Sequence, residues 1–146
     1  AVDSILAAHK DELAGKVLVD ITNPVNFYTF DGLVVPADSS AAAEIQKKVP
    51  EALVVKAFNT TFAGVLAAGK VGDKEPAVVL AASDSEEAKK TLAEALEGSG
   101  LSVVDAGSLK RAREMEALGF LQISLAAREK ISWTGGFAVI HKSVFP

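Results

Sequence analysis

The chain has 146 residues, 49% hydrophobic and 23% charged, which suits one folded domain and is too apolar for a disordered chain. Its net charge is −4 and its basic residues are scattered, so nucleic acid is not expected as a partner. The absence of cysteine excludes disulfides and thiol chemistry and fits a cytoplasmic location. The longest mostly apolar run, residues 117–127, is shorter than the roughly 20 residues that span a bilayer, so no membrane partner is expected.

The first residues form an amphipathic helical pattern that Gly15 is placed to end. Its apolar face consists of Ile5, Leu6, His9 and Leu13. His9 on this stripe is interpreted as a packed or surface histidine rather than a ligand. Because neither an initiator methionine nor a signal peptide is present, we expect a further segment upstream of Ala1.

Four short apolar, β-branched runs predict strands that are buried on both faces, because their apolar residues are nearly continuous. These runs are residues 17–21, 53–58, 77–82 and 101–105. Helical patterns separate them, at residues 41–49 after Ser40, at 62–69, and after Ser83, where Glu86 completes a capping box and Gly98 follows as the C-cap. This alternation predicts an α/β fold with a mainly parallel sheet and flanking helices.

The longest helical pattern follows Ser108 and extends over about residues 109–130. Residues 118–125 are apolar nearly all round, so this helix is expected to be buried on the sheet or in a homodimer interface. Residues 131–146 show no helical period and predict an irregular tail. The chain therefore divides into an α/β domain over residues 1–130 and a tail over residues 131–146.

Ligands of open parallel sheets bind beyond the carboxyl ends of the strands, and two such ends carry small polar residues. The first is Thr22-Asn23-Pro24, where the Asn-Pro pair predicts a turn, and the second is Phe58-Asn59-Thr60-Thr61. Because adjacent strands lie about 4.8 Å apart, Thr22-Asn23 and Asn59-Thr60 are expected close together at one edge of the sheet. A mixture of small polar and apolar groups suits an uncharged ring. A purely structural role, as turns and helix caps, is the alternative at both places, and Asp20 and Asp105 fit turn or cap roles better than a general-base pair.

Other site motifs are absent from the sequence. It contains no G-x-G-x-x-G or P-loop pattern and therefore no recognisable phosphate cradle. No H-E-x-x-H, clustered metal-ligand pattern or Ser-His-Asp set is present either, so neither a metal nor a catalytic side chain is assigned.

The order and spacing of several motifs resemble the family of F420-dependent NADP oxidoreductases over about residues 1–130. These motifs are V-L-V-D-I-T-N-P at 17–24, V-V-K-A-F-N-T at 54–60, A-A-S-D-S at 81–85 and V-D-A-G-S-L at 104–109, before a helix that begins K-R-A-R. The resemblance implies the C-terminal part of a Rossmann-like NAD(P)-binding fold, with the Gly-rich βαβ unit of the family lying upstream.

The resemblance also implies roles for the two polar loops. Thr22, Asn23, Pro24 and Val25 would bind the nicotinamide of NADP(H), and Phe58, Asn59, Thr60 and Thr61 would bind the small-molecule acceptor. Hydride would pass between the stacked rings, which requires positioning more than acid–base catalysis. Family members that use the deazaflavin F420 typically carry a histidine in the second loop, so Asn59 leaves a flavin, a quinone or another small electrophile open as the acceptor.

A non-catalytic regulatory or assembly domain that keeps the sheet and associates through its last helix is the rival interpretation. It is favoured by the missing phosphate loop. For the same reason, binding of NADPH by this chain alone is expected to be no tighter than about millimolar.

Overall fold

Helices and strands alternate along the computed structural model, which describes residues 1–145. The main sheet contains β1 (Val17–Asp20), β2 (Leu53–Ala57), β5 (Val78–Ala82) and β6 (Ser102–Gly107). A small hairpin is formed by β3 (Lys70–Val71) and β4 (Glu75–Pro76). The helices are α1 (Val2–His9), α2 (Ala41–Lys48), α3 (Ala63–Ala68), α4 (Glu86–Ala95) and α5 (Ala112–Ala127), the last preceded by a 3₁₀ turn, Leu109–Arg111. The four predicted strands and five predicted helices are therefore confirmed.

The main sheet has the strand order β1-β2-β5-β6 and is mixed. β1 is parallel to β2, and β5 is parallel to β6. The two parallel pairs join antiparallel at Lys56↔Ala82 and Ala57↔Ala81, because α3 and the hairpin return the chain beside β2 in the opposite direction. The carboxyl ends of β1 and β2 consequently lie at one edge of the sheet, and those of β5 and β6 lie at the other.

The core occupies both faces of the sheet, and neighbouring residues of β2 point to opposite faces. Val54 packs in one cluster with α1 and α2, through Leu6 and Ile45. Val55 packs in the other cluster with α4 and the remaining strands. The sheet is thus covered on both sides, as the continuous apolar strands predict.

The helix ends follow their local sequence in α2 and α3 and are corrected in α1 and α4. α1 ends at His9, with Lys10 as its C-cap, and not at Gly15, because residues 10–15 form turns. The C-cap of α4 is Leu96 and not Gly98. The Ser40 side chain accepts the Ala43 N–H at 2.9 Å at the start of α2, and Gly69, with φ of 73°, ends α3. The N-cap of α4 is Ser85, which accepts the Ala88 N–H at 3.1 Å, so the predicted capping box at Ser83 is wrong. The Ser83 hydroxyl instead donates to the Val54 carbonyl at 2.7 Å and fastens the start of α4 to β2.

The buried face of the last helix, α5, differs from the one that was predicted. The buried face of α5 consists of small and polar residues and one methionine, namely Ala112, Met115, Glu116, Gly119, Gln122 and Ala126. Leu121 is 46% exposed in the single chain. The leucine, isoleucine and phenylalanine side chains of residues 118–125 therefore lie beside the buried face or point outward. The buried face itself packs on the polar loops that follow β1 and β2.

Residues 128–145 form no helix or strand, and side chains hold them against the domain. The Gln122 Oε1 accepts the Phe137 N–H at 3.0 Å, and the rings of Phe62 and Trp133 lie 5.0 Å apart between centroids. This packing brings Trp133 to the sheet edge where β1 and β2 end. Within residues 1–145 we find no helix long and apolar enough to cross a membrane.

Candidate functional site

The loop after β1 begins with a tightly held threonine. The Asp20 Oδ1 accepts both the N–H of Thr22, at 2.9 Å, and its hydroxyl, at 2.7 Å. Val25 is buried and forms an isolated antiparallel bridge with Leu33. The loop is therefore fixed at both ends.

The loops after β1 and β2 meet through two asparagines, which confirms the predicted proximity of these segments. The Asn23 amide donates to the Asn59 backbone carbonyl at 3.2 Å, and the Asn59 amide donates back to the Asn23 Oδ1 at 3.2 Å. The Asn59 amide also donates to the Met115 carbonyl of α5 at 2.9 Å. Gly119 lies over this pair, since a Cβ there would be 2.4 Å from the Asn23 Oδ1.

The side-chain oxygen of Asn59 is buried and has no hydrogen-bond partner among the described residues. Exchanging the oxygen and nitrogen of this amide would place oxygen against two acceptors, the Asn23 Oδ1 and the Met115 carbonyl, so the orientation is determined. Buried polar groups are nearly always paired, so this oxygen is an acceptor that no described residue of the chain satisfies. The preceding residue, Phe58, has φ of 68°, a left-handed conformation that is uncommon for a bulky residue.

A cavity of about 440 Å³ lies beside this pair and is called the Asn59 cavity. Its lining includes Ile21, Asn23, Phe58, Asn59, Phe62 and Trp133. Aromatic and aliphatic walls with a few amide groups suit a flat, largely apolar ring.

The predicted cofactor loop is divided between two cavities. Thr22 and Pro24 line a second cavity of about 430 Å³, the Thr22 cavity, whose walls include Val34, Val35 and Ile45. Asn23 is the member of the loop that lines the Asn59 cavity.

The predicted acceptor residues are also divided. Thr61 lines both the Asn59 cavity and a third cavity of about 150 Å³ behind it. Thr60 is buried, lines the third cavity, and accepts the Gln122 amide on its carbonyl at 2.8 Å. The structure thus brings Asn23, Phe58, Asn59 and Thr61 around one cavity and separates Thr22, Pro24 and Thr60 from it.

A buried triad of Asp20, Lys56 and Glu116 was not foreseen from the sequence. The Lys56 Nζ lies 3.1 Å from the Asp20 Oδ2 and 3.1 Å from the Glu116 Oε2, and all three side chains are at most 1% exposed. The Lys56 Nζ also donates to the Thr22 carbonyl at 2.6 Å. The available sequence signal was a lysine inside a strand predicted to be buried on both faces.

The opposite edge of the sheet carries a second buried lysine. The Lys89 Nζ lies 2.7 Å from Asp105 and 2.8 Å from Glu86. Burial alone would lower the pKa of Lys89, but the hydrogen bonds to Asp105 and Glu86 outweigh burial and raise it. Asp20 and Asp105 therefore belong to separate ion pairs. Over residues 1–145, no group of three or more metal-ligating side chains is assembled.

The mixed sheet with helices on both faces, and paired loops beyond neighbouring strands, defines a Rossmann-like α/β protein. No protein-family model matches the chain. An F420-dependent NADP reductase of Methanocaldococcus jannaschii is 32% identical over 130 residues, which are 86% of this chain and 57% of that protein. Metalloreductase STEAP3 of Rattus norvegicus is 38% identical over 116 residues, or 79% of this chain and 22% of that protein.

The fold shows the same relationship. A crystal structure of a candidate F420-dependent NADP-reductase from Arthrobacter sp. FB24 superposes with a TM-score of 0.81 and 29% identity, covering 96% of this chain and 64% of that one. The chain is related in sequence and in fold to F420-dependent NADP reductases. It spans about half the length of the curated reductase and about a fifth of the metalloreductase.

Proposed function

We propose that this chain provides the hydride-transfer site of an NADP-dependent oxidoreductase and that the Asn59 cavity receives the ring of the electron acceptor. The observation that carries this proposal is the buried, unpartnered side-chain oxygen of Asn59, a residue that lines the cavity. An acceptor atom of this kind fits a ring that carries an N–H donor. Flavins and deazaflavins have such a group, the imide N–H, and aromatic surfaces that the apolar walls can cover.

The nicotinamide end of NADP(H) is assigned to the neighbouring loop of Thr22, Asn23, Pro24 and Val25. Asn23 belongs to this loop and also lines the acceptor cavity, so it is the loop residue that can contact both rings, whereas Thr22 and Pro24 line the separate Thr22 cavity. NADPH, when bound, supplies the hydride. The chain itself orients the rings, and positioning accounts for much of the acceleration in such transfers.

The names of the relatives support NADP-dependent oxidoreduction as the reaction class, but they name different electron acceptors. One is a reductase of NADP that depends on F420, and the other is a metalloreductase. The cavity volume of about 440 Å³ lies within the range of small-molecule sites and can hold a flavin or deazaflavin ring.

A matched pair of variants on α3 tests the assignment. Ala63 and Ala68 are both exposed, and Ala63 lines the Asn59 cavity. Ala63→Phe should fill the cavity and weaken binding of riboflavin and 5-deazariboflavin by more than about tenfold, a loss of about 1.4 kcal/mol. Ala68→Phe, near the other end of the helix, should leave both affinities within about twofold.

Trp133 supplies the readout, because it is the single tryptophan and it lines the cavity. Binding in the cavity should quench its emission in the wild-type chain and in Ala68→Phe. Equal flavin affinity in the two variants, or flavin binding without any change in the emission of Trp133, would remove the cavity from the proposal.

We also propose that the protein acts as a homodimer that associates through the outer side of α5. Leu118, Leu121 and Leu125 recur at helical spacing along this side, and Leu121 is largely uncovered in the single chain. A second copy of the same stripe would cover them.

A further inference from the structure

We propose that the buried triad fixes the hydroxyl of Thr22 as a hydrogen-bond acceptor toward the carboxamide of the nicotinamide, which makes Lys56 a positioning residue for cofactor specificity. This inference rests on the proposed binding of nicotinamide at the Thr22 loop. It concerns which hydrogen-bonding groups that loop can recognise.

The hydrogen-bonding capacity of Lys56 in the triad is fully used. All three N–H donors of Lys56 have acceptors, namely the Thr22 carbonyl, Asp20 and Glu116. Glu116 also accepts the first free backbone N–H groups of α2, from Ala41 at 2.6 Å and Ala42 at 3.3 Å. The positive end of the α2 dipole and one ammonium group therefore balance two buried carboxylates. Such a network has one well-defined arrangement.

The hydroxyl proton of Thr22 is used in the hydrogen bond to Asp20. The Oδ2 of Asp20 is paired with Lys56, and its Oδ1 receives both the N–H and the hydroxyl of Thr22. An ion-paired carboxylate has no proton to offer, so the hydroxyl of Thr22 must donate to it. With its proton used in this way, the hydroxyl of Thr22 can form further hydrogen bonds only as an acceptor. A ligand must therefore donate the hydrogen bond to it.

The surroundings of Thr22 combine apolar walls with charged groups that already have partners. Thr22 lines a cavity whose walls include Val34, Val35 and Ile45. The charged residues that also line it are partnered within the chain, Asp3 with Lys48 and Glu44 with Lys47 and Ser39, so the accepting hydroxyl of Thr22 is open to a donor from the ligand. The nicotinamide carboxamide ends in an NH₂ group, which donates. A nucleotide with a methyl in place of that NH₂ loses this interaction and leaves the oxygen of Thr22 unpaired.

The test compares NADP⁺ with its 3-acetylpyridine analogue, in which a methyl replaces the carboxamide NH₂. Titrations followed by NMR to several millimolar should show NADP⁺ binding about fivefold more tightly to the wild-type chain. Thr22→Val should bring this ratio close to one, and Thr22→Ser should preserve it. Thr91→Val, the same change at an exposed site on α4, should not alter it.

Lys56→Met tests the positioning role. Removing the ammonium takes away the partner that holds the Asp20 Oδ2 and the Thr22 carbonyl, so the hydroxyl of Thr22 is no longer fixed as an acceptor. The ratio should then fall toward one, whereas a purely structural defect would weaken both ligands equally and leave the ratio at about five. Asp20→Asn, which places an amide donor within this network, provides a second variant if Lys56→Met does not fold.

The outcomes separate the two proposals. A wild-type chain that binds neither nucleotide overturns the proposed function and this inference together. Nucleotide binding with a ratio that Thr22→Val leaves unchanged overturns only the inference about Thr22. A wild-type ratio in folded Lys56→Met and Asp20→Asn overturns the positioning role.

Discussion

Substituting Gly119 with alanine should disrupt the contact between the two site loops. A Cβ at this position would lie 2.4 Å from the Asn23 Oδ1 and 3.0 Å from the backbone oxygen of Asn59. The Asn23 side chain can rotate away, but the backbone oxygen can move only with its strand. Gly119→Ala should therefore separate Asn23 from Asn59 and break the two hydrogen bonds between them.

The magnitude follows from three contributions. Alanine in a helix interior is favoured over glycine by about 1 kcal/mol. Losing two hydrogen bonds, each worth about 0.5 to 1.5 kcal/mol, and crowding a close-packed contact at a further 1 to 3 kcal/mol both oppose this gain. The free energy of unfolding should fall by about 1 to 5 kcal/mol, which lowers the urea midpoint by about 0.5 to 2.5 M at an m-value of about 2 kcal/mol/M.

Urea unfolding followed by circular dichroism measures the change, and Ser124→Ala on the same helix is the control. Ser124 lies outside the buried face of α5, so its replacement should alter stability by no more than about 0.5 kcal/mol. The side-chain NH₂ signals of Asn23 and Asn59 should shift in NMR spectra of Gly119→Ala only. A Gly119→Ala protein that gains about 1 kcal/mol, as an unhindered helix glycine would, refutes the close contact.

Two further predictions concern the opposite sheet edge and the outer side of α5. Because the pKa of Lys89 is raised on folding, its stabilising contribution is complete below pH 10.5, the ordinary value, and is lost as the pH rises through the folded value. The stability difference between wild type and Lys89→Met should therefore shrink in urea titrations above pH 10.5, and a constant difference contradicts the assignment. Leu121→Asp should convert a dimer into a folded monomer by light scattering, since Leu121 is 46% exposed in the single chain. Ala127→Asp, at an exposed position elsewhere on α5, should remain dimeric, and a dimeric Leu121→Asp protein excludes this interface.

Local sequence patterns were sufficient to predict the four strands of the main sheet and the five helices. Continuous apolar runs predicted the strands, and Ser40 and Gly69 predicted helix ends because capping depends on residues close in sequence. The same logic failed at Ser83. Its hydroxyl is used by the Val54 carbonyl, a contact between residues 29 positions apart that no local rule contains.

The site was predicted only as far as strand ends and family motifs allow. Those features indicated that Asn23 and Asn59 lie together, but they did not show that Thr22 and Asn23 line different cavities. The buried triad depends on α5 crossing both loops, and the apolar residues of that helix predicted a hydrophobic inner face. Glu116 and Gly119 form part of that face because it meets polar groups there.

The antiparallel junction within the sheet has a consequence for local opening. Each parallel pair is a contiguous strand-helix-strand unit, β1-α2-β2 and β5-α4-β6. The junction between them has two paired positions on each strand, Lys56 with Ala82 and Ala57 with Ala81. The Asn59 cavity is lined by the loops after β1 and β2, by α3 and α5 and by Trp133, and none of its lining residues belongs to β5, α4 or β6. We therefore expect that opening at this junction would leave the walls of the cavity together, so that a bound ring stays in place while the second unit moves.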